Sequence, residues 1–389
     1  MRSAIQAVRG TKQTGITLVE TLVALTVGLA VVSVAFNLYA SNRTVFKQVE
    51  GVARLQESAR VAAALLTADI RQAGGSLCRD DLPTTNIVNS TDWWTQPDKG
   101  IEGFASSAAD SRASVTTFPR VAGDSFTVWN SNSGPVTSIF STQPRGQFSY
   151  YPNYLDWKVN IANSSGFQAG DLIVICDFNR ALIAQTVITN NGTSFNIKYN
   201  LPGYPRPGNC GPAFSASSTR VVALPKCGSD LAAYQASMPS SIQRDYTWTT
   251  GSLVGELTAH HWYIGEKAST STTSKNNRAL RRLTINYNHG GTGSFAAVPQ
   301  TDEIVENVSD MQISYLVGDT SGYTDRMTYV GAGAVTDWTR VIAVRIILTL
   351  TSTEAIAVGA AGAASAATYT IPINVAIRSR LPGAVAPFR

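Results

Sequence analysis

The sequence is poor in charge. Asp, Glu, Lys and Arg make up 15% of its 389 residues, against roughly 25% in ordinary globular chains. Arg2, Arg9 and Lys12 lie before Gly15 in a stretch without acidic residues, so removing them reduces the formal charge from +5 to +2. A chain this close to neutral has no electrostatic basis for binding nucleic acid, and we predict no nucleic-acid partner.

Residues that carry chemistry are also scarce. The three histidines are His260, His261 and His289. The first two are adjacent and would face opposite sides of a strand, where they cannot easily share a metal, and the third lies in a Gly-rich turn. There is no G-x-S-x-G motif, and the Gly-rich run 290–293 lacks the lysine of a phosphate-binding loop. We therefore predict no catalytic residue, no metal, no cofactor and no enzyme activity.

Two other motifs have both a functional and a structural interpretation. Asp319 and Asp325 flank a glycine and could hold Ca²⁺, but the spacing is not that of an EF-hand loop, which favours an ordinary turn. Trp93 and Trp94 lie in a polar segment. They could form an exposed binding patch, or they could cover the edge of the core, which is the favoured interpretation.

Cysteine occurs only as Cys78, Cys176, Cys210 and Cys227, with no C-x-x-C pair. Structural zinc sites usually need such close ligand pairs, so zinc is disfavoured. If the chain lies outside the cytoplasm, two disulfides are the favoured state. Three connectivities are open, and we prefer Cys78–Cys176 with Cys210–Cys227.

A single long apolar run covers residues 16–40, interrupted by one charge, Glu20. As a helix rising about 1.5 Å per residue, the run is long enough to cross a bilayer. The basic residues before Gly15 would remain in the cytoplasm, which sends the rest of the chain outward.

Three interpretations of this run compete. A cleaved secretory signal could end near residues 33–35, but the apolar run continues past that point. An uncleaved anchor is the second possibility. Both leave Glu20 unexplained, because burying an unpaired carboxylate costs a few kcal/mol. The third interpretation rests on Gly15 followed by Glu20 after a basic leader, which resembles the class III signal of type IV prepilins and pseudopilins.

That resemblance implies specific roles for three residues. A membrane peptidase cuts after Gly15 and methylates the new N-terminal amine, that of Ile16. Glu20 becomes the fifth mature residue and pairs with the N-terminal amine of a neighbouring subunit. Ile16 stands where the family most often has Phe.

The helical pattern continues beyond the membrane. No proline lies between Ala40 and Gly74, and the double glycine 74–75 supplies a C-terminal cap. We therefore predict one helix near 16–73. Its second half carries one apolar stripe at three- and four-residue steps: Val45, Val49, Val52, Ala59, Ala63, Leu66 and Ile70. The stripe could be a coiled-coil seam, but packing on the chain's own sheet is favoured.

Strand patterns dominate after Cys78. Residues 341–350 and 369–378 alternate apolar and polar, with an exposed loop predicted at 358–367. Residues 171–200 predict a three-stranded meander, and 281–287 another strand. Residues 80–125 and 201–275 are predicted to be long loops or insertions. The expected fold is α+β and pilin-like: one long N-terminal helix packed on antiparallel β-sheet, with β-rich insertions.

Several segments together resemble the PilW family of minor pilins. They are residues 53–60 (ARLQESAR), 68–74 (ADIRQAG), Cys78, 170–174 (GDLIV), 304–312 (IVENVSDMQ) and 341–345 (VIAVR). The resemblance is strongest in the first 75 residues. It implies a leader at 1–15, a transmembrane and filament-core helix at 16–40, an amphipathic continuation at 41–75 and an extracytoplasmic β-rich domain at 76–389.

The resemblance also implies a function. Such proteins are thought to form, with other minor pilins, a priming complex that initiates pilus assembly for adhesion and twitching motility. The implied partners are other minor pilins, the major pilin, the prepilin peptidase, the inner-membrane assembly platform and a large tip adhesin. The implied location is the inner membrane before assembly and the pilus tip afterwards. A J-type minor pseudopilin of type II secretion is the first alternative. A membrane-tethered periplasmic hydrolase or adhesin is the second.

Overall fold

The computed structural model describes residues 15, 17–78, 82–114, 116–131, 136–138, 149–151, 154–160, 166–168, 170–188, 194–198, 207–209, 214–215, 221–223, 242–243, 251–267, 277–287, 297–318, 328–357 and 364–380. The chain divides into two compact units, residues 1–54 and residues 55–389.

The long helix α1 spans Leu18–Gln72, which confirms the helix predicted near 16–73. It begins at Thr17, whose carbonyl oxygen accepts hydrogen bonds from the backbone N–H groups of Glu20 and Thr21. It ends before Gly74, whose φ of 65° is the left-handed conformation that glycine adopts without strain. A short helix, α2, spans Ser111–Ser114.

Twenty-one strands follow in the described part of the chain. The first ten are β1 (Thr84–Asn86), β2 (Ile101–Phe104), β3 (Arg120–Asn130), β4 (Val136–Ser138), β5 (Ser149–Tyr151), β6 (Tyr154–Asn160), β7 (Leu172–Cys176), β8 (Ala181–Gln185), β9 (Val187–Ile188) and β10 (Ser194–Lys198). The others are β11 (Phe214–Ser215), β12 (Val221–Ala223), β13 (Ile242–Gln243), β14 (Leu253–Glu256), β15 (Thr258–Glu266), β16 (Arg278–Tyr287), β17 (Ala297–Glu306), β18 (Val308–Val317), β19 (Tyr329–Val330), β20 (Val341–Ala357) and β21 (Ala364–Ala376).

These strands form five sheets. The six-stranded sheet has the order β12-β1-β8-β7-β14-β4, the five-stranded sheet β17-β16-β15-β3-β2 and the C-terminal four-stranded sheet β19-β18-β20-β21. A second four-stranded sheet has the order β5-β6-β10-β9, and β11 pairs with β13. Among the described pairs, only those of β1 with β8 and β12 are parallel. The predicted α+β class is confirmed.

The second half of α1 packs on the chain's own sheets. Its buried side chains are Leu55, Ala59, Ala62, Leu66 and Ile70. They share one hydrophobic core with the five-stranded sheet and the C-terminal four-stranded sheet. Full burial of a side chain such as Leu66 or Ile70 contributes about 1.5–3 kcal/mol. This packing excludes the coiled-coil alternative for residues 55–72.

The prediction that the first part of the stripe is a buried face was wrong. Val45, Val49 and Val52 keep 51%, 63% and 36% of their surface exposed. They precede Leu55, the first helix residue in the core, and periodicity alone could not locate where burial starts. Leu55 and Ala62 belong to the buried face and were absent from the predicted stripe.

The strand predictions at the C-terminal end are confirmed. β20 and β21 pair in antiparallel register, with Val344 opposite Val375 and Ile346 opposite Ile373. These four side chains are buried. The loop predicted at 358–367 was too long, because β21 already begins at residue 364.

Two other sequence predictions need correction. The meander predicted over 171–200 is divided: β7 pairs with β8 in the six-stranded sheet, whereas β10 pairs with β6 and β9 in another sheet. The segments predicted as loops contain core strands. β3 lies partly within 80–125, and β15, within 201–275, pairs with β3 and β16 in the five-stranded sheet.

A clamp holds the end of α1. The Ser379 hydroxyl donates to the carbonyl oxygen of Ala73 at 3.0 Å. The Arg380 guanidinium donates to the carbonyl oxygens of Trp338, at 2.6 Å, and Val341, at 2.9 Å. Gly74 lies so close to Gly100 that a Cβ on Gly100 would be 2.7 Å from the Gly74 Cα. Glycine at position 100 is therefore needed for this approach.

One buried hydroxyl predicts a stabilising substitution. Tyr315 is fully buried, and its hydroxyl has no hydrogen-bond partner in the described part of the chain. An unsatisfied buried hydroxyl costs about 1–3 kcal/mol. We therefore expect Tyr315→Phe to raise the free energy of unfolding by about 1 kcal/mol, measured by urea unfolding. Gly103→Ala should have the opposite effect and lower the free energy of unfolding, because its Cβ would be 2.0 Å from the Tyr315 hydroxyl oxygen. Loss of stability in Tyr315→Phe would contradict this assignment.

Candidate functional site

The candidate site lies in the unit of residues 1–54, at the start of α1. Every large apolar side chain from Leu18 to Tyr39 keeps more than half of its surface exposed. The helix is long and apolar enough to cross a membrane. An apolar surface of this extent needs a lipid or protein environment, so the segment fits a membrane anchor or a signal.

Glu20 lies in the first turn of this helix. Its backbone N–H is 3.3 Å from the Thr17 hydroxyl oxygen, which accepts the hydrogen bond. The Thr17-x-x-Glu20 spacing is that of a capping box, and a carboxylate in a first turn stabilises the positive end of the helix dipole. Glu20 thus has a local structural role in addition to any role in assembly.

Gly15 precedes the helix in open space. A Cβ built on Gly15 would meet no atom within 4 Å. The fold itself therefore does not require glycine at this position. A requirement imposed by something outside the chain, such as a protease that binds this backbone, is consistent with that finding. Ile16 lies outside the described residues.

One predicted disulfide is present in the other unit. Cys78 and Cys176 are bonded, with their Cα atoms 6.2 Å apart. The bond joins the segment after α1 to β7 of the six-stranded sheet. This is the pairing preferred from the sequence. Cys210 and Cys227, the other predicted pair, lie outside the described residues.

The two adjacent histidines have different partners. His260 Nδ1 is 2.8 Å from an Asp69 carboxylate oxygen on α1. Trp262 Nε1 donates to the same oxygen at 2.7 Å. Asp69 therefore ties the end of α1 to β15. This residue lies within the 68–74 segment that carries the family resemblance, and the sequence did not reveal its role.

His261 belongs to a buried network. Its Nε2 is 3.0 Å from an Asp110 carboxylate oxygen and its Nδ1 is 2.8 Å from the Thr127 hydroxyl oxygen. Burial alone would raise the pKa of Asp110, but hydrogen bonds from His261 and Ser125 and the charge of Arg120 lower that pKa well below its ordinary value. Burial lowers the pKa of His261. A neutral His261 that donates to an ionised Asp110 accounts for the lowered pKa of both groups.

This Thr127–His261–Asp110 arrangement resembles a nucleophile–base–acid triad in its connectivity. However, Thr127 and His261 are fully buried. A hydroxyl without access to solvent cannot meet a substrate, so the arrangement gives no support to the hydrolase alternative. We interpret it as a structural network that holds Asp110 against the five-stranded sheet.

The two tryptophans cover the core. The Trp93 carbonyl oxygen accepts a hydrogen bond from Trp129 Nε1 at 2.9 Å, and Trp94 packs against the hydrophobic cluster of the six-stranded sheet. The structural interpretation of this motif is confirmed. Among the described residues, no group of three or more His, Cys, Asp and Glu could hold a metal ion. The acidic loop 319–325, His289 and the Gly-rich run 290–293 lie outside the described residues.

Glu256 predicts a pH-dependent stability. Burial, with a smaller contribution from the charge of Asp171, raises the pKa of Glu256 from 4.5 to about 7. The folded state therefore binds more protons than the unfolded state between these values, and the free energy of unfolding falls by about 3 kcal/mol as pH rises through this window. We expect Glu256→Gln to flatten this dependence and to be the more stable chain at pH 8, measured by urea unfolding.

The control for Glu256→Gln is Glu306→Gln. The Glu306 side chain is 61% exposed and pairs with Lys267, and an exposed pair of this kind contributes little to stability. We expect the Glu306→Gln profile to follow that of the wild type. Parallel pH profiles for wild type and Glu256→Gln would show that the pKa of Glu256 is not raised by folding.

An N-terminal helix whose second half packs on antiparallel-rich sheets defines an α+β protein. A comparison with family sequence models matches residues 261–376 to PilW, described as Type IV Pilus-assembly protein W. This part of the chain is similar to that family of pilus-assembly proteins. The match covers less than a third of the chain, from β15 to the end of β21, whereas the resemblance seen in the sequence was strongest in the first 75 residues. Searches of the curated proteins and of the solved structures find no match.

Proposed function

We propose that this chain is a minor pilin that helps to initiate type IV pilus assembly as part of a priming complex at the pilus tip. One observation carries the proposal. The exposed apolar half of α1, with Glu20 as the sole charge between residues 16 and 40, belongs to a chain whose C-terminal sheets match PilW. Such a helix serves association with other helices and has no catalytic group.

The proposed mechanism begins with a cut after Gly15. The cut creates a cationic amine at Ile16, and docking brings the amine of one subunit close to the Glu20 carboxylate of another. In an apolar bundle an unpaired carboxylate is costly, and removing one partner of a buried ion pair costs about 3–5 kcal/mol. The pair therefore favours one register of the helices. Because the chain retains Glu20, we place it at a position where it docks against another subunit.

The proposed partners follow from this mechanism. Other minor pilins and the major pilin supply the helices that pack against residues 18–40. The prepilin peptidase acts on Gly15 and Ile16, and the inner-membrane platform extracts the subunit. A large tip adhesin is the proposed outward partner. The chain would lie in the inner membrane with residues 76–389 in the periplasm, and at the pilus tip after assembly.

Mass spectrometry of the mature N-terminus tests the proposal. Membranes from cells that express the full chain should yield a protein that begins at N-methylated Ile16. An intact Met1, or a start at Phe36 after secretory cleavage, would refute the minor-pilin assignment. The same experiment in a strain without the prepilin peptidase should yield the uncut chain.

Replacing Glu20 tests the docking step separately. We expect Glu20→Ala to be cut and to stay in the membrane, but to reduce pilus number more than tenfold, because a loss of about 3 kcal/mol per contact exceeds the 1.4 kcal/mol that changes an equilibrium tenfold. Pili are counted by electron microscopy. Glu50→Ala is the control, because Glu50 forms an exposed pair with Arg54 at 2.6 Å on the same helix and such pairs contribute little. Wild-type pilus numbers with Glu20→Ala would contradict the docking role.

A further inference from the structure

The strand β21 forms one edge of the C-terminal four-stranded sheet. It is 13 residues long, and β20 is its only strand partner in the described part of the chain. The opposite edge of the sheet is the two-residue strand β19. A long edge strand presents unpaired backbone N–H and C=O groups, which another strand can bind. The assembly role proposed above does not involve this edge.

The register shows which backbone groups of β21 face outward. The backbone N–H of Ile377 donates to the carbonyl oxygen of Ile342 at 2.9 Å, which continues the register that pairs Val344 with Val375. Residues that bond to the neighbouring strand alternate with residues that do not along an antiparallel strand. In the regular ladder the even-numbered residues of β21 therefore direct their N–H and C=O groups away from β20. Pro372, which has no N–H to donate, is one of them.

The two halves of this edge differ. Proline and charged residues are common means by which natural sheets block a free edge. Pro372 interrupts the outward donors, and beyond it the core-facing side chains of Ile373 and Val375 are buried. Before it, residues 364–371 contain neither proline nor a charged residue, and Thr368 and Thr370 are exposed. We call residues 364–371 the free edge.

The hydrophobic core is incomplete beside the free edge. Tyr369 and Ile371 pack against the core but are only half-buried. Their partners on β20, Leu350 and Leu348, are fully buried. A further strand with apolar side chains on the same face would cover Tyr369 and Ile371, and the apolar area removed from water would add to its affinity.

These features define the chemistry of the partner. Outward backbone groups of Thr368 and Thr370 are satisfied by the backbone of an extended strand, and the absence of charge on the free edge suits an uncharged one. A second copy of this chain fits less well. Antiparallel self-pairing centred on Thr368 leaves out Pro372 but places Tyr369 opposite Ala367, whose methyl group is too small to cover an aromatic ring.

We propose that the free edge binds an extended, uncharged segment of another protein, which becomes the fifth strand of the C-terminal sheet. The segment alternates apolar side chains, which cover Tyr369 and Ile371, with polar side chains on the face of Thr368 and Thr370. Pro372 ends the pairing. In this mode of recognition the main-chain hydrogen bonds supply affinity and the alternate side chains supply specificity. The proposal does not rest on the minor-pilin role.

Peptide binding and hydrogen exchange on the full chain in detergent test the proposal. The probes are two labelled peptides of about seven residues, close to a usual strand length. One alternates valine with threonine and the other alternates phenylalanine with serine. At least one should bind with a millimolar or lower dissociation constant, measured by fluorescence anisotropy. The bound peptide should slow exchange of the Thr368 and Thr370 amides about tenfold or more, measured by mass spectrometry at residue resolution.

A modified peptide and two variants provide the controls. The same peptide with N-methylated backbone amides keeps its side chains but cannot donate to the edge, so it should not bind. Thr370→Pro removes one outward N–H and should weaken peptide binding about tenfold, the effect of one hydrogen bond. Pro372 shows that the ladder accepts proline at such a position. Thr370→Val keeps the N–H and should bind as the wild type does, and unfolding midpoints confirm that both variants fold.

Four results would overturn the proposal. They are absence of binding by both peptides, equal binding by the N-methylated peptide, unchanged binding by Thr370→Pro, and protection of the edge strand β17 in place of β21. Slow exchange of the Thr368 and Thr370 amides before peptide is added, with faster exchange on dilution, would show instead that a second copy occupies the edge. None of these outcomes depends on pilus assembly.

Discussion

A Gly15→Leu chain is expected to accumulate in the membrane as an uncut precursor. A Cβ at residue 15 would meet no atom of the chain within 4 Å, so the substitution should leave the fold intact. The substitution is expected to slow cleavage instead, because the protease must bind an extended backbone at the scissile bond. A clash of about 3 kcal/mol in the transition state slows cleavage on the order of a hundredfold.

Immunoblots of membrane fractions, followed by mass spectrometry, measure the effect. The wild-type chain should be found mainly in the mature form and Gly15→Leu almost entirely as precursor. Gly28→Ala is the matched control, because Gly28 also has open space around its Cβ position but lies within the helix. Normal processing of Gly15→Leu would mean that no peptidase recognises this position, and the minor-pilin assignment would then lose its main support.

Removal of the Cys78–Cys176 bond is expected to cause the largest loss of stability. The bond spans a sequence separation of 98 residues. A loop of this length restricts the unfolded chain by about 4–5 kcal/mol in the chain-entropy model, and native disulfides of secreted domains typically contribute 2–5 kcal/mol. We therefore expect Cys78→Ala/Cys176→Ala to lower the free energy of unfolding by about 3 kcal/mol or more.

Urea unfolding of the full chain in detergent measures this loss, with and without a reducing agent. In Cys78→Ala/Cys176→Ala, any remaining effect of the reducing agent must come from Cys210 and Cys227. The double variant Cys210→Ala/Cys227→Ala measures the contribution of Cys210 and Cys227 to the free energy of unfolding. This contribution should be smaller, because the sequence between these residues is shorter. An unchanged urea midpoint in Cys78→Ala/Cys176→Ala would show that the bond does not stabilise the fold.

The elements that the sequence predicted well are those whose pattern is local. The alternation in β20 and β21 places Val344 and Val375 in the core because side chains on one face of a strand recur every second residue. The end of α1 was predictable because Gly74 can adopt a positive φ without strain. The preferred Cys78–Cys176 pairing also proved correct.

The polar contacts that organise the site were not predictable from local pattern. Asp69 and His260 are 191 residues apart, and His261 and Asp110 are 151 residues apart. The strand β15 was missed for the same reason. Its His-His-Trp-Tyr segment places polar and aromatic groups on both faces. These groups are buried, or half-buried in the case of His260, because partners from α1, β3 and residue 110 satisfy them. Alternation of apolar residues, which reveals ordinary strands, is absent here.

The clamp at the end of α1 has a consequence for biosynthesis. Ser379 and Ala73 are 306 residues apart. Translation at roughly 5–20 residues per second needs on the order of 15–60 s to cover that distance. During this interval the apolar face from Leu55 to Ile70 has emerged without the C-terminal strands that cover it. Non-local contacts of this kind also slow folding. The nascent chain therefore passes through an aggregation-prone stage. We expect its yield to depend on chaperones more strongly than that of a protein whose strands follow the helix directly.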